Sequence, residues 1–176
     1  DKLLVATNNG VKSFNKKTGV WHDEILPRLE ITTLEIDNKG YLWVGTKAQG
    51  LFRTEIGEDT FSAVISVDSA VGFSESIIND IQQMNDDSIW VATTRGIVIF
   101  PNPDDFSFVN LVNRSNGSEA KVAEHVNMLF KADSGLIFIG AYRSGFSVLD
   151  LNSTMFNRFL LYPNQVSYFV AKEADD

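Results

Sequence analysis

Four stretches of the chain share one order of apolar, small and polar positions. Each begins with an apolar, a large apolar and a branched apolar residue, and continues with two small residues, a short polar stretch, a glycine and an apolar residue. The stretches are Leu3–Val11, Leu42–Leu51, Ile89–Ile97 and Ile137–Phe146. The first small residue recurs as Ala6, Gly45, Ala92 and Gly140, at spacings of 39, 47 and 48 residues. Periods of this size are typical of propeller blades with four strands.

The segments around each stretch repeat as well. Segments with apolar residues lie upstream of three stretches, and in the first two the apolar residues alternate or nearly so. A turn-forming cluster of Asp, Asn, Ser or Gly follows each of these segments. Downstream of the repeated glycine, an aromatic residue marks a further strand at Trp21, Phe61 and Phe156, and at Phe106 or Phe108 in the third unit. We therefore predict four strands per unit, here named A to D, with A at Ile31–Ile36, Ile78–Met84 and Val126–Phe130.

The B strands favour a propeller over a sandwich. Tyr41–Val44 and Ser88–Val91 do not alternate between polar and apolar residues, whereas an antiparallel strand with one face in water does. A continuous apolar strand is covered on both faces, as it is when sheets stack radially. The small residue after the apolar run leaves room where the sheets crowd together. Trp43, Trp90 and Phe138 are predicted to pack between sheets as core residues.

The fold class predicted is all-β, a β-propeller segment of about four four-stranded antiparallel blades. The units are 1–30, 31–77, 78–125 and 126–165, and 166–176 resembles the first strand of a further blade. That last strand either completes the first unit and closes a ring of four, or belongs to a larger ring, which we favour. An open segment exposes apolar faces and strand edges, so we expect a dimer or other oligomer. A long polar loop is predicted from Asn113 to Val126, with one helical turn at Glu119–Glu124.

Charge and composition exclude several classes of function. The 176 residues carry a formal net charge of −8, which disfavours DNA and RNA as partners. The chain has no cysteine, so disulfides, cysteine-ligated zinc and thiol nucleophiles are excluded. No apolar run is long enough to cross a bilayer, and the first residues do not resemble a signal peptide. Any targeting or membrane segment of a parent protein is therefore expected outside this sequence.

Catalytic and metal motifs are not evident. His22 and His125 are isolated, without the paired spacing of a zinc site. The paired carboxylates Asp86-Asp87 and Asp104-Asp105 fit turns, and no nucleophile elbow occurs. We expect no cofactor, no metal and no catalysis by this segment.

Ligand contacts are expected in the loops between strands B and C and before strand A, where propellers usually bind ligands. These loops mix amides, cations and one aromatic residue, which suits a polar small molecule such as an oligosaccharide. An alternative is that they are solvated turns. The candidate ligand-binding residues are Arg95, Tyr142, Arg143, His125, Lys47 and Gln49.

The second unit resembles a known repeat. Ile31–Leu51 follows the order I-x-x-I-x-x-D-x-x-G-x-L-W-[VI]-G-T-x-x-x-G-[LI] nearly throughout, with Asp37, Gly40, Trp43 and Gly45 in place. This pattern is similar to the two-component regulator propeller repeat, and the third unit keeps much of it. The resemblance implies a periplasmic sensor region of an inner-membrane receptor, whose output domain is a histidine kinase or a diguanylate cyclase. Two alternatives are a scaffold for protein–protein contacts and a propeller lyase that uses His125.

Overall fold

Strands form all the regular structure in the part of the chain that the computed structural model describes, which is residues 2–56, 65–66, 77–105, 107–111, 125–150 and 156–159. The strands are β1 (Lys2–Thr7), β2 (Gly10–Asn15), β3 (Val20–Ile25), β4 (Ile31–Ile36), β5 (Tyr41–Thr46), β6 (Leu51–Glu55), β7 (Ile65–Ser66), β8 (Ile78–Gln83), β9 (Ile89–Thr93), β10 (Gly96–Asn102), β11 (Ser107–Leu111), β12 (Val126–Lys131), β13 (Leu136–Ala141), β14 (Gly145–Asp150) and β15 (Phe156–Phe159). No helix in these ranges could span a membrane.

The strands form four antiparallel sheets in chain order, one for each sequence unit. The first sheet is β1-β2-β3, and the second, third and fourth are β4 to β7, β8 to β11 and β12 to β15. Each four-stranded sheet runs A-B-C-D as predicted, and the all-β fold of four-stranded antiparallel sheets is confirmed. Trp21, Phe108 and Phe156 lie on the outer strands β3, β11 and β15. Phe61, Phe106, the predicted loop and helical turn in 113–124, and the strand-like segment 166–176 lie outside the described residues.

The B strands of the second and third sheets are buried on both faces, as their sequences predict. Leu42 to Thr46 are all buried in β5, and every residue of β9 is buried. The exposed fraction of Trp43 is 0% and that of Trp90 is 6%. Phe138 is half-buried in β13. β1 differs, because Leu3 is 50% exposed on a strand that pairs only with β2 among the described residues.

The small residue of the repeat is required by a close approach. A Cβ atom added to Gly45 would lie 2.5 Å from Ile78 Cγ2 and 2.6 Å from Thr33 Cγ2. Thr33 is the neighbour of Gly45 on β4, and Ile78 begins β8. The φ angle of Gly45 is not in the left-handed region, so glycine is needed here for space and not for backbone conformation.

The chain divides into two compact units, Asp1–Ile78 and Asn79–Asp176. In the first unit, one apolar cluster joins the first and second sheets through Val11, Ile31, Leu42 and Val44. In the second unit, another cluster joins the third and fourth sheets through Met84, Trp90, Ala92, Ile97, Val126, Leu129, Ile137 and Ile139. Polar contacts reinforce this second packing, since Asp80 Oδ2 accepts the Leu129 amide at 2.7 Å and Asn79 Nδ2 donates to the Val126 carbonyl at 2.7 Å.

The turn between strands A and B holds the buried indole of the second sheet. Asp37 is 5% exposed. Its Oδ1 accepts the Tyr41 amide at 2.9 Å and the Lys39 amide at 3.0 Å, and its Oδ2 accepts Trp43 Nε1 at 2.9 Å. A buried indole N–H needs an acceptor, so the aspartate of the repeat both shapes the turn and satisfies the tryptophan.

The third and fourth sheets lack an aspartate at this position and differ in the residue that takes the place of the Asp37–Trp43 pair. Met84 occupies the position of Asp37, and Trp90 Nε1 donates instead to Ser88 Oγ at 3.1 Å, while Ser88 Oγ donates to Asp86 Oδ1 at 2.6 Å. In the fourth sheet the corresponding residues are Ala132 and Phe138. The fourth sheet therefore has neither the carboxylate nor the indole N–H that would need an acceptor.

Candidate functional site

Three predicted site residues meet at one end of the fourth sheet. His125 immediately precedes β12, and Tyr142 immediately follows β13. The Tyr142 amide donates to the His125 carbonyl at 2.8 Å, which closes the A–B strand pair at this end. The two rings then stack, with centroids 5.0 Å apart and an interplanar angle of 30°. The backbone pairing of β12 with β13 therefore positions the two side chains against each other.

Arg143 completes this His125–Tyr142–Arg143 cluster. Its Cζ lies 5.0 Å from the centroid of the Tyr142 ring, within the range of a cation–π contact. Arg143 has a φ of 56°, a left-handed conformation that is uncommon for residues other than glycine. Tyr142 is 39% exposed. The cluster thus offers an aromatic ring, a guanidinium and an imidazole at the surface of a protein whose net charge is negative.

The equivalent position on the second sheet carries an ion pair. Glu30 precedes β4 and Lys47 follows β5, and the Lys47 amide donates to the Glu30 carbonyl at 3.0 Å. The Lys47 ammonium also contacts both Glu30 carboxylate oxygens, at 2.9 Å and 3.0 Å. Lys47 is a predicted ligand contact, whereas Glu30 is not among the predicted residues. The signal was available, since Glu30 precedes strand A just as His125 does.

We expect the Lys47→Ala substitution to change stability little. Both side chains of the pair are about half exposed, at 53% and 49%, and exposed ion pairs contribute about 0.2–1 kcal/mol. Chemical denaturation in low and high salt measures this effect. The small loss should shrink further in high salt, because ions screen exposed charges. A loss that is large and independent of salt would contradict this expectation.

The other two predicted residues lie in turns that their own backbones stabilise. The Arg95 amide donates to Thr93 Oγ1 at 3.0 Å in the β9–β10 turn. The Gln49 amide donates to Thr46 Oγ1 at 2.9 Å in the β5–β6 turn. Arg95 belongs to the same compact unit as the cluster, whereas Lys47 and Gln49 belong to the first unit. Of the six predicted residues, the structure therefore joins three by direct contacts: His125, Tyr142 and Arg143.

Neither histidine belongs to a metal-binding group in the described ranges. No group of three or more His, Asp or Glu residues there could hold a metal ion. His22 lies on the outer strand β3 opposite Ser13. Its Nε2 is buried and has no hydrogen-bond partner there. The His125 ring stacks on the Tyr142 ring, and the His125 carbonyl accepts the Tyr142 amide.

Sequence comparison confirms the resemblance over the most regular repeat. Residues 25–48 match the family described as two component regulator propeller. The matched stretch runs through β4, the turn at Asp37 and β5, and it includes Trp43 and Gly45. Trp43 is fully buried and Gly45 lies against Ile78 and Thr33, so the match covers the close-packed part of the repeat. No curated protein matches the chain.

Structural comparison shows the propeller fold. The chain is similar to the extracellular domain of BT3049 from B. thetaiotaomicron, described as a hybrid two component system, with a TM-score of 0.73, 17% identity and 98% of this chain covered. It is also similar to the extracellular domain of BT4673 from the same organism, also described as a hybrid two component system, with a TM-score of 0.69, 17% identity and 93% covered. A computationally designed protein, Ika8, matches with a TM-score of 0.59, 14% identity and 89% covered. The chain spans 22%, 21% and 45% of these three chains.

Proposed function

We propose that this chain is part of the extracytoplasmic sensor region of a bacterial two-component-type signalling receptor and is not itself catalytic. The observation that carries the proposal is the match of residues 25–48 with the two component regulator propeller family. The fold likeness to two extracellular domains described as belonging to hybrid two component systems supports it. The proposal includes a periplasmic location, an inner-membrane parent protein, and an output domain that is a histidine kinase or a diguanylate cyclase.

The proposed ligand contact is the His125–Tyr142–Arg143 cluster, and the proposed ligand class is a polar small molecule such as an oligosaccharide. The apolar face of a sugar ring can stack on the exposed Tyr142 ring, while hydroxyl groups accept hydrogen bonds from the guanidinium of Arg143. Stacking and charge-assisted hydrogen bonds together give both affinity and orientation. Arg95 lies in a turn of the same unit and is proposed as an additional contact.

Thermal unfolding of the chain with a panel of neutral and acidic oligosaccharides tests the proposal. A ligand that binds only the native state stabilises it by about 2.7 kcal/mol at 100 times its Kd, which raises the melting temperature. Absence of any shift across a broad panel, for the chain and for the complete extracytoplasmic region, would contradict small-molecule sensing. Turnover of a panel member that disappears in His125→Ala would favour the lyase alternative instead.

Two substitutions in the cluster are expected to weaken ligand binding without unfolding the protein. Tyr142→Ala removes the stacking ring and should weaken binding at least about 10-fold, equivalent to about 1.4 kcal/mol. Arg143→Gly removes the guanidinium but relieves a left-handed residue, so its stability should be unchanged or higher by up to about 1 kcal/mol. Titration calorimetry measures the affinities, and denaturation measures the stabilities.

Thr18→Ala is the control, since Thr18 lies in an exposed turn of the first sheet and its backbone amide donates to Asn15 Oδ1. It should leave both affinity and stability unchanged. Unchanged affinity in Tyr142→Ala would show that the ligand binds elsewhere.

A second candidate function is a scaffold for protein–protein contacts. The observation that favours it is the apolar surface of the first sheet, where Leu3 and Trp21 lie on one face and are 50% and 55% exposed. Exposed aliphatic and aromatic side chains grouped on one sheet are typical of interaction sites. Retention of a protein partner by the chain, lost in Trp21→Asp and unaffected by Tyr142→Ala, would favour this function.

A further inference from the structure

The edges of the third and fourth sheets are joined by side chains of β8. Among the described strands, β8 and β12 are edge strands, each paired on one side only. Such strands carry backbone N–H and C=O groups that need other partners. On β12, Asn79 Nδ2 donates to the Val126 carbonyl, and Asp80 Oδ2 accepts the Leu129 amide, both at 2.7 Å. Two neighbouring residues of β8 therefore hold the edge of β12.

An equivalent contact occurs in the first compact unit. Thr32 and Asn79 are both the second residue of an A strand, and Ile78 and Val126 are both the first residue. Thr32 Oγ1 donates to the Ile78 carbonyl at 2.5 Å, just as Asn79 donates to the Val126 carbonyl. The second position of strand A thus supplies a donor for the first carbonyl of the next A strand, as a hydroxyl in one unit and as a carboxamide in the other.

The carbonyl that Asn79 holds is adjacent to the stacked rings of His125 and Tyr142. The His125 carbonyl accepts the Tyr142 amide at 2.8 Å, and the next carbonyl along the chain is that of Val126. The register of β12 with β13 shifts directly after Val126. A β-bulge leaves one residue out of the ladder, so the ladder alone fixes this end of β12 less firmly. The hydrogen bond from Asn79 supplies a further constraint here.

We propose that Asn79 is a positioning residue for the candidate ligand cluster, although it lies on the neighbouring sheet. By holding the Val126 carbonyl, the Asn79 carboxamide sets the orientation in which His125 stacks on Tyr142. Side chains that are ordered before binding cost less to order during binding, so this contact raises the affinity of the cluster. The effect on affinity rests on the proposed function, whereas the effect on the two rings does not.

Proton NMR of the imidazoles tests this role, because the chain has two histidines, His22 and His125. The ring current of Tyr142 shifts the signals of an imidazole that stacks on it. Tyr142→Ala identifies the His125 signal and gives its position without the stack. Asn79→Val, which removes the donor, should move the His125 signal toward that position and leave the His22 signal in place.

Asn79→Thr is the rescuing variant, since threonine has the shape of valine and is the donor that the second sheet uses. It should keep the His125 signal near its original position. Thr32→Val is the matched control, because it removes the equivalent contact in the first unit and should not move that signal. An unchanged His125 signal in Asn79→Val, or an equal shift in Asn79→Thr, would overturn the proposal. If Asn79→Val does not fold, Asn79→Asp takes its place, since it keeps the shape of asparagine without the Nδ2 donor.

Amide hydrogen exchange separates positioning from a general loss of stability. The Tyr142 amide donates to the His125 carbonyl, and the Ala132 amide donates to the Leu136 carbonyl at 2.9 Å, so the two amides report on opposite ends of the β12–β13 pair. In the folded variant, loss of the Asn79 donor should accelerate exchange of the Tyr142 amide at least about 10-fold relative to the Ala132 amide. Equal acceleration of both amides would mean that Asn79 only stabilises the unit, and the proposal would fail.

Titration calorimetry with the neutral and acidic oligosaccharides of the panel tests the consequence for binding. A panel member that binds the natural chain should bind Asn79→Val at least about 3-fold more weakly, and should bind Asn79→Thr and Thr32→Val unchanged. Equal affinity for Asn79→Val and the natural chain would contradict the role in binding. If no panel member binds the natural chain, the proposed function fails, whereas the NMR and exchange measurements still decide whether Asn79 positions the rings.

Discussion

Replacing Asp37 by alanine is expected to lower the free energy of unfolding by about 3 kcal/mol, because each buried donor left without a partner costs about 1–3 kcal/mol. The substitution removes the acceptor for the Lys39 and Tyr41 amides and for the Trp43 indole at once. Asp37→Asn keeps one acceptor oxygen and should lose about half as much. Urea denaturation followed by tryptophan fluorescence measures both effects.

The matched control is Asp133→Ala, in the corresponding turn of the fourth sheet. Asp133 is exposed, and substitutions at such sites usually change stability by less than about 0.5 kcal/mol. If both alanine variants lost the same stability, the Asp37 carboxylate would be acting only as a generic turn residue and the indole contact would contribute nothing.

The double variant Asp37→Ala/Trp43→Phe separates the indole hydrogen bond from the turn. It reproduces the Ala132 and Phe138 pair of the fourth sheet, so it removes the donor together with its acceptor. We expect the two substitutions to be less than additive by about 1–2 kcal/mol, as is usual for residues in contact. Trp43→Phe alone also weakens the contact with Arg53, whose Cζ lies 5.4 Å from the Trp43 ring. The complete cycle is therefore needed.

The fold could be predicted from the sequence because the apolar pattern of the B strands indicates burial on both faces. Runs such as Leu42-Trp43-Val44 have no polar alternation, which is possible only for a strand covered on both faces. Repetition then fixed the element order, since each B strand is flanked by an alternating segment and a turn. What the pattern could not give was the reason for each position. The pattern predicts a turn at Asp37 but not the hydrogen bond from the Trp43 indole to the Asp37 carboxylate.

Comparison of the repeats does not reveal that bond, because the aspartate and the tryptophan do not vary together. Trp90 is kept in the third unit although Met84 stands at the position of Asp37, and its indole donates to Ser88 instead. The fourth unit has neither residue, with Ala132 and Phe138 at the two positions.

The candidate site could be predicted only in part. His125 and Tyr142 are predicted separately, for their chemistry and their loops, and their stacking follows from the backbone pairing at the end of β12 and β13. Lys47 is predicted as a contact, whereas its partner Glu30 is not, although Glu30 precedes strand A as His125 does. Which side chains face each other depends on the register of the A–B pair, and the sequence pattern specified the strands without specifying that register.

Gly45→Ala is expected to lower the free energy of unfolding by about 2–3 kcal/mol, within the range for overpacked cores. The added methyl group would overlap Ile78 Cγ2 and Thr33 Cγ2, and both are on β-branched side chains with few alternative rotamers. Ala92, at the same position of the third sheet, is fully buried with its Cβ in place. Ala92→Gly is therefore the inverse control and should lose only about 0.5–1 kcal/mol, from strand entropy and a lost methyl contact.

Ile78→Ala removes the methyl group that overlaps the new Cβ, although it costs about 2–5 kcal/mol by itself because Ile78 is fully buried. Adding Gly45→Ala to Ile78→Ala should then cost less than adding it to the natural chain, since the overlap with Ile78 Cγ2 is gone while the overlap with Thr33 Cγ2 remains. Chemical denaturation of the four proteins gives this coupling. Additive losses would mean that the glycine is not held by this contact, and the close approach of Gly45 to Ile78 would no longer explain why the repeat keeps a small residue after its tryptophan.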